Sequence, residues 1–240
     1  MVLERSSSPL VSIVVPAYNE ADIIEENILM LRSALKDADI SFEIIIAEDG
    51  STDHSYSISV GLSDLYPDVR VIHSDARIGK GEAIKRAWYV SSGSFIIFMD
   101  MDMPVDLFSL GPLIEYLRHG FSLVIGSRYL GDSNLQRPFF KTLKSKTYNF
   151  LLRSFVGYEI SDYQCGFKGM IKDDLSDLLL SVKDSVYFFD TELIIKAIRA
   201  GLSIRELPVS WREPEGRVSK VTLRDEIVMI FRLVSLLLST

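Results

Sequence analysis

The sequence contains few of the residues on which several common kinds of site depend. Its 240 residues include one cysteine, Cys165, and three histidines, His54, His73 and His119, which are far apart along the chain. One cysteine excludes an internal disulfide, and the scattered histidines do not form a zinc-binding pattern. A single cysteine also fits a protein of a reducing compartment.

Several sequence motifs are also missing. There is no G-x-S-x-G and no Walker A motif, since the glycines of IGKGEAIKRA, around Lys80, have the wrong spacing for a P-loop. An EF-hand counted from Asp100 fails because its sixth position is Val105 and its twelfth is Gly111. The Ser-rich N-terminus lacks an apolar run, so we expect no secretory signal and a chain that is cytoplasmic or lies on a membrane facing the cytosol.

Positive charge is in deficit as well. The chain has 26 basic and 33 acidic residues, a net charge of −7. A general nucleic-acid binder usually carries a basic field that neutralises phosphates, so the sequence predicts no nucleic-acid partner.

What the sequence does contain is a regular alternation of short apolar runs with amphipathic stretches. Runs such as SIVVPA and EIIIAE are typical of parallel strands that are covered on both faces. Helical patterns fill the intervals, and the first has an apolar stripe that includes Ile24, Ile28 and Leu31. We therefore predict an α/β fold with a mainly parallel central sheet flanked by helices, its strands at Val11–Pro16, Phe42–Ala47, Val69–His73, Phe95–Met99 and Leu123–Gly126.

Acidic residues follow three of these strands, in AYNEAD, EDGSTD and DMDM. Ligands of open parallel sheets bind outside the carboxyl ends of the strands. Asp100 and Asp102 are alternate residues, and in an extended segment both would face one ion. A D-x-D triplet in an acidic chain is often only a solvated turn, so its position after a strand is what favours a Mg²⁺ or Mn²⁺ site.

The segments VSIVVPAYNEAD, EDGSTD, ARIGKGEAIKRA, DMDM, IGSRY, DYQCGFKGM and FDTELI occur in an order that resembles inverting family-two glycosyltransferases of the GT-A fold. More narrowly, they are similar to the polyprenyl (dolichyl) phosphate glycosyltransferases. DYQCGFK, FDTELI and WREPEGRVSKV look more like the glucosyltransferase branch than the mannosyltransferase branch. The Q-x-x-R-W signature of processive synthases is absent.

The resemblance implies a GT-A type nucleotide-diphospho-sugar transferase fold over residues 1–240. Residues 11–130 would bind the nucleotide sugar, 131–220 the acceptor, and 221–240 would form a C-terminal amphipathic helix. The implied donor site consists of Pro16, Tyr18, Glu20, Asp49, Lys80, Asp100, Arg212 and Lys220, with Asp100 and Asp102 at the metal. Arg212, Arg217 and Lys220 would close over the diphosphate.

The implied acceptor is a lipid phosphate, which needs cations more than it needs a base because its second pKa is about 6. Arg128 and Arg137 are the predicted phosphate ligands, since the planar fork of arginine matches phosphate oxygens. The resemblance implies that Asp162 lies near the transferred sugar, and that Asp190 and Glu192 lie on the acceptor side. Whether any of these carboxylates acts as a base is left open. Cys165 and Gly166 are expected to shape the backbone.

Charge and periodicity indicate a basic amphipathic helix over residues 139–156. Between Asp132 and Glu159 there are five basic and no acidic residues. Such a helix fits a membrane surface, but a helix packed on the sheet with its cations in solvent explains the periodicity equally well. The C-terminal segment 225–240 is too short an apolar run to cross a bilayer, and either closes the core or forms a second membrane contact.

Two positions depart from the family pattern. Glu48 stands where many relatives have aspartate, and Pro104 stands where some mannosyltransferases have a glutamine that contacts the metal. The proline ring cannot coordinate an ion, so water or another side chain would complete the metal's shell.

These observations lead to one hypothesis and several alternatives. The hypothesis is metal-dependent, inverting transfer of a hexose from UDP-glucose or GDP-mannose to a polyprenyl phosphate by a peripheral protein on the cytosolic face of a membrane. The alternatives are the same fold with a saccharide or protein acceptor, and a non-catalytic nucleotide-sugar-binding protein. A nucleotidyltransferase is disfavoured because the Gly-rich basic loop after the first strand is absent.

Overall fold

A computed structural model describes residues 10–136, 138–213 and 223–238. All five predicted strands are present, each within one residue of its predicted bounds. In the described part of the chain, the strands are β1 Val11–Ala17, β2 Phe42–Glu48, β3 Val69–Ile72, β4 Phe95–Met99, β5 Leu123–Ser127, β6 Asn134–Gln136, β7 Phe167–Ile171, β8 Ile204–Pro208 and β9 Ser210–Arg212.

The helices fill the intervals between the strands, as the periodicity predicts. Along the described chain they are α1 Ile24–Asp37, α2 Ser55–Leu65, α3 Lys80–Val90, α4 Leu110–Arg118, α5 Phe139–Val156, α6 Lys172–Ser181, α7 Phe189–Arg199 and α8 Leu223–Leu238. The predicted stripe of the first helix is confirmed, because Ile24, Ile28, Leu31 and Leu35 are all buried.

The main sheet has seven strands in the order β3-β2-β1-β4-β7-β5-β8. Its pairings are parallel except those of β7, which runs antiparallel to both β4 and β5. The mainly parallel sheet is therefore confirmed. A second, two-stranded sheet pairs β6 with β9, and Val105 bridges to Trp211 beside it.

The sheet separates two hydrophobic clusters, one on each face. Successive residues of β1 illustrate this, since Val15 belongs to the cluster on one face and Val14 to the cluster on the other. With both faces buried, polar side chains concentrate at the strand ends, and the carboxyl ends of β1, β2 and β4 lie at one edge of the sheet.

The helix α5 matches the predicted bounds of 139–156, but its stripe does not pack on the sheet. Phe140, Phe150 and Phe155 are all more than half exposed, whereas Asn149 and Leu152 form the buried side. The interpretation that packing on the sheet explains the periodicity is therefore wrong. The apolar stripe faces outward because the helix contacts the core through its other side.

The helix α8 is apolar on two sides. Met229 and Leu233 are buried in a core cluster, and Val228, Phe231 and Val234 are exposed. The prediction that this segment closes the core is thus confirmed for its inner face. Among the residues that the structure describes, no helix is both long and apolar enough to cross a bilayer.

The orientation of α5 can be tested with two neighbouring leucines. Leu152 is fully buried and Leu151 is 43% exposed. We expect Leu152→Ala to lower the free energy of unfolding by about 3 kcal/mol, because it leaves a cavity. Leu151→Ala should change it by less than about 1 kcal/mol. Denaturant titration measures both, and equal losses would contradict this orientation.

Candidate active site

Lys80 and Asp100 form an ion pair at the carboxyl edge of the sheet. Lys80 is the first residue of α3, and Asp100 directly follows β4, with Lys80 Nζ 2.6 Å from Asp100 Oδ1. Burial would lower the pKa of Lys80, but the charges of Asp100 and Asp190 raise it well above its ordinary value. Lys80 therefore stays cationic at neutral pH, next to the predicted metal-binding motif.

The backbone of the D-x-D triplet differs from the expected extended segment. Residues 100–103 form a turn in which the Met103 N–H donates to the Asp100 carbonyl at 3.0 Å, and Met103 has φ of 41°. The expectation that alternation along a strand aligns the two carboxylates was wrong. The reason is that β4 ends at Met99, so the next amides find partners within a turn. Asp102 is nevertheless close enough to raise the pKa of Lys80.

Gly166 allows Asp100 its position. A Cβ at residue 166 would lie 1.9 Å from Asp100 Oδ2, so a larger residue cannot occupy this place without displacing the carboxylate. Cys165 beside it is buried, and burial raises the pKa of its thiol to about 12. The thiol is therefore protonated at neutral pH, in keeping with the backbone-shaping role expected for both residues.

The two carboxylates after β2 are engaged by protein groups. Asp49 accepts hydrogen bonds from the Ile78 N–H at 2.7 Å and the Gly79 N–H at 3.0 Å, which holds the loop that leads into α3. Burial raises the pKa of Asp49 in spite of these bonds. Glu48, the departure from the family pattern, accepts from the Ser51 N–H at 2.6 Å and contacts His73 Nδ1. Both carboxylates thus hold backbone amides at the edge of the sheet where the sequence predicts the base.

The loop after β1 is tied to the start of α2. Glu20 N–H donates to Ser55 Oγ at 2.7 Å, and Pro16 is half-buried at the end of β1. Tyr18 presents its ring to Arg77, whose guanidinium carbon lies 4.1 Å from the ring centre. The structure thus places Pro16 near the carboxyl end of β1, and Tyr18 and Glu20 on the loop that follows, where the sequence predicts the nucleotide.

Arg128 and Asp162 form a buried, two-pronged ion pair. Arg128 Nε donates to Asp162 Oδ2 at 2.6 Å and Nη2 donates to Oδ1 at 2.8 Å. Arg128 is 5% exposed and Asp162 is fully buried. The pair places Asp162 beside the first of the two predicted phosphate ligands, and two of the five guanidinium N–H donors are directed at this carboxylate.

Unsatisfied donors surround this pair, and sequence reasoning missed them. In the described part of the chain, the Tyr129 hydroxyl and the Trp211 indole N–H are buried without a hydrogen-bond partner. The Arg128 guanidinium carbon lies 4.8 Å from the Trp211 ring centre, and Lys146 Nζ lies 5.6 Å from that of Tyr129. Trp211 opens the WREPEGRVSK segment, in which the predicted roles fall on the cations. We call Arg128, Tyr129, Lys146 and Trp211 the Arg128 cluster.

Asp190 is held by a lysine that sequence reasoning also missed. Lys168, on β7, is fully buried and its Nζ lies 2.7 Å from Asp190 Oδ1. The charge of Asp190 acts on Lys80 and, together with burial, raises the pKa of Tyr148 to about 12. Asp190 thus lies between the Lys80 pair and α5. A lone apolar-flanked lysine in GFKGM offers little signal in sequence, because its partner is 22 residues away.

Glu192 faces a different part of the molecule. It accepts hydrogen bonds from the Lys183 and Asp184 amides at 3.0 and 2.8 Å, and Lys196 Nζ lies 3.2 Å away. Its carboxylate therefore organises the loop after α6. Its predicted place on the acceptor side stays a prediction.

The predicted closing cations are described only in part. Arg212 Nε donates to Gln136 Oε1 at 3.1 Å, and its backbone N–H donates to the Pro104 carbonyl at 2.8 Å. Pro104 thus contributes a carbonyl to the second sheet. Arg137, Arg217 and Lys220 lie outside the described residues. Within the described ranges, no group of three or more His, Cys, Asp or Glu side chains is arranged to hold a metal ion on its own.

Comparison with known proteins supports the resemblance. The Glycosyl transferase family 2 model matches residues 12–179. Glycosyltransferase AglD of Haloferax volcanii is 37% identical over 223 residues, which cover 91% of this chain and 35% of AglD. Dolichyl-phosphate beta-glucosyltransferase of Drosophila melanogaster is 30% identical over 237 residues, which cover 92% of this chain and 72% of that protein.

Two further proteins extend the comparison. Polyprenol monophosphomannose synthase of Mycolicibacterium smegmatis is 30% identical over 216 residues, covering 88% of this chain and 80% of the synthase. A structure of glucosyl-3-phosphoglycerate synthase from Mycobacterium tuberculosis with Mn²⁺, UDP and glucosyl-3-phosphoglycerate has a TM-score of 0.69 at 23% identity. That alignment covers 96% of this chain and 79% of the other, and supports the GT-A fold. On the family match and these relatives, the chain belongs to glycosyltransferase family 2 and is a glycosyltransferase.

Proposed function

We propose that the protein transfers a hexose, with inversion, from a nucleotide sugar to a polyprenyl phosphate. The observation that carries the proposal is the presence of two charged sites at one edge of the sheet. The Lys80–Asp100 pair suits a nucleoside diphosphate, and the Arg128 cluster suits a separate phosphate. The names of the Drosophila and Mycolicibacterium relatives support a lipid-phosphate acceptor. The chain spans only 35% of AglD, so the activity of that whole protein is not transferred to it.

At the donor end, the loops after β1 and β2 would hold the base and ribose, with Pro16, Tyr18, Glu20 and Asp49 around them. Lys80 would face the diphosphate, where its positive charge stabilises the negative charge that develops on the leaving group. Arg212 and Lys220 would contribute from the loop that follows β9. The nucleotide base and the sugar remain for experiment to identify, with UDP-glucose and GDP-mannose as the candidates.

A divalent cation, Mg²⁺ or Mn²⁺, fits the residues at this site. Asp100 and Asp102 offer carboxylate oxygens, and Gly166 keeps open the space beside Asp100 that a Cβ would fill. Because the described residues provide no cluster of three carboxylates, the diphosphate and water would supply the remaining ligands. When bound, the ion would neutralise charge on the departing diphosphate.

At the acceptor end, a phosphate oxygen would attack the anomeric carbon as the bond from that carbon to the diphosphate oxygen breaks. The leaving nucleoside diphosphate takes the electron pair. A phosphate dianion needs no deprotonation, so the protein has to hold it in line. The indole N–H of Trp211, the hydroxyl of Tyr129 and the ammonium of Lys146 would donate to it, together with Arg128 and Arg137. Asp162 would orient Arg128 and lie near the transferred sugar, and Asp190 would lie on the acceptor side.

We further propose that α5 and the outer face of α8 lie on the cytosolic surface of a membrane. On α5, exposed phenylalanines occur together with the cations Lys144, Lys146 and Arg153. On α8, Val228, Phe231 and Val234 form an exposed apolar face. Apolar insertion combined with attraction to anionic headgroups is how such helices bind a bilayer surface. This arrangement would present a membrane-bound acceptor to a peripheral enzyme whose residues 1–240 form one catalytic domain, with donor, acceptor and C-terminal helical parts at 11–130, 131–220 and 221–240.

The proposed reaction is tested by supplying purified protein with dolichyl phosphate in detergent and labelled UDP-glucose or GDP-mannose, with and without Mn²⁺ or Mg²⁺. We expect one of the two sugar donors to give a labelled lipid, and only when the metal is present. Asp102→Asn should lower the rate of this transfer at least about a hundredfold. Wild-type protein that binds a donor nucleotide but labels no lipid would contradict the proposed acceptor. Saccharide and protein acceptors would then be screened.

The role of the Arg128 cluster is tested by Trp211→Phe, which removes the indole N–H and keeps an aromatic ring. Loss of a hydrogen bond to a charged group should raise the KM for the lipid phosphate about tenfold and leave the donor KM within about twofold. Trp88→Phe, at the buried tryptophan of α3, is the matched control. An unchanged acceptor KM in folded Trp211→Phe protein would show that the indole N–H does not contact the phosphate.

Membrane contact is tested by sedimentation with vesicles that contain phosphatidylserine. Replacing Phe140 and Phe150 together with serine should weaken vesicle binding at least about tenfold, because two large apolar side chains no longer insert. The control replaces Leu65 of α2 and Phe108, which precedes α4, with serine, since both side chains are also more than half exposed. Equal losses in the two double variants would argue against a specific membrane face.

A further inference from the structure

We propose that Arg232, on α8, is a positioning residue for the donor site. It acts through residues 182–186 of the segment between α6 and α7, here called the relay loop. This inference rests on the proposed function, because it concerns the Lys80–Asp100 pair as a nucleotide-diphosphate site. The family match ends at residue 179, so both the relay loop and α8 lie beyond it.

The relay loop caps the helix that carries Lys80. The Ser185 carbonyl accepts hydrogen bonds from the Gly81 N–H at 2.9 Å and from the Glu82 N–H at 3.3 Å. The first amides of a helix have no partner within the helix, and α3 has no side-chain cap. The carbonyl of a residue more than a hundred positions away therefore completes the start of α3, one residue from Lys80.

The contact between the relay loop and α3 leaves no free space. A Cβ at Gly79 would lie 2.3 Å from the Ser185 carbonyl oxygen, and a Cβ at Gly81 would lie 2.8 Å from the Phe189 side chain. Gly79 also has φ of 101°, a conformation that glycine adopts at little cost. Since the backbones touch, a shift of the relay loop has to move the start of α3, and Lys80 moves with it.

Charged groups hold the relay loop in place. The carboxylate of Glu192 accepts from the Lys183 and Asp184 amides, and Asp184 Oδ1 accepts from the Val186 N–H at 2.7 Å. Asp184 is 2% exposed, and its other oxygen, Oδ2, contacts Arg232 of α8. A buried carboxylate needs a cation or hydrogen-bond donors to offset its desolvation. Removing Arg232 takes away the cationic partner of Asp184 and loosens the loop at this point.

The chain of contacts runs from Arg232 to Asp184, along the relay loop to Ser185, then to the start of α3 and across Lys80 to Asp100. Every step is a hydrogen bond, an ion pair or a covalent neighbour. The Arg128 cluster, which is proposed to bind the acceptor, contributes no residue to this series of contacts. A loosened relay loop should therefore weaken donor binding and leave acceptor binding unchanged.

A second contact of α8 with the body of the protein provides a matched control. Arg199 of α7 donates through Nη1 and Nη2 to the Leu236 carbonyl of α8, each at 3.2 Å. Arg199→Ala therefore removes a contact between α8 and the body of the protein without touching Asp184. If α8 matters only as a cover for the core, the two arginines should behave alike.

The experiment measures binding of UDP and of GDP, each with Mn²⁺, to the 240-residue chain by calorimetry, after denaturant titration has established that each variant is folded. We expect Arg232→Ala and Arg232→Gln to raise the Kd of the preferred nucleotide about tenfold, as for other coupled networks. Arg232→Lys, which keeps the charge, should restore it to within about twofold. Arg199→Ala should leave it unchanged, and the acceptor KM should be unchanged in all four variants.

Two results would overturn the inference. One is wild-type affinity in folded Arg232→Ala or Arg232→Gln protein, which would mean that the ion pair only stabilises α8. The other is an equal loss in Arg199→Ala, which would mean that general attachment of α8 is what matters. Wild-type protein that binds neither nucleotide would contradict the proposed function itself, a result distinct from both.

Discussion

The site depends on one antiparallel strand in an otherwise parallel sheet. Because β7 runs against β4, with Phe167 paired to Met99, the start of β7 lies where β4 ends. Gly166 is thereby brought against Asp100. Lys168, the second residue of β7, is buried in the core, where it pairs with Asp190. With a parallel strand in this place, its amino end would lie at the opposite edge, and none of these contacts could form.

Burial of charge imposes a second constraint on the site. Asp162, Lys168 and Asp190 are each largely or fully buried, and an unpaired charge in such a place is strongly destabilising. Each is matched by an opposite charge at hydrogen-bond distance. Loss of one partner would therefore leave the other charge buried without a counter-charge. Buried pairs of this kind thus fix geometry more than they add stability. The buried Trp211 indole N–H and Tyr129 hydroxyl, which have no hydrogen-bond partner among the described residues, are exceptions that fit a bound ligand.

Two surface helices, α5 and α8, each have a buried side and an exposed apolar side. The helices α5 and α8 each direct part of their apolar surface to the core and part to solvent, so neither is explained by packing alone. On α8 the exposed Arg232, next to the buried Leu233, also provides the link to the relay loop. One helix thus combines an exposed apolar face with a connection to the donor side of the molecule.

The sequence by itself determined five of the nine described strands, the helices in the intervals between those five, and the family. Hydrophobic periodicity is a local property, and the positions of the D-x-D triplet, Lys80 and Arg128 follow from motifs that are read in order along the chain. The tertiary structure decided what these residues contact. It placed the triplet in a turn and directed the fork of Arg128 to Asp162, and it turned the stripe of α5 outward. It also joined Lys168 to Asp190 and Ser185 to α3. Such pairs join distant parts of the chain, and their partners are set by the order and direction of strands in the sheet, which periodicity along the chain does not encode.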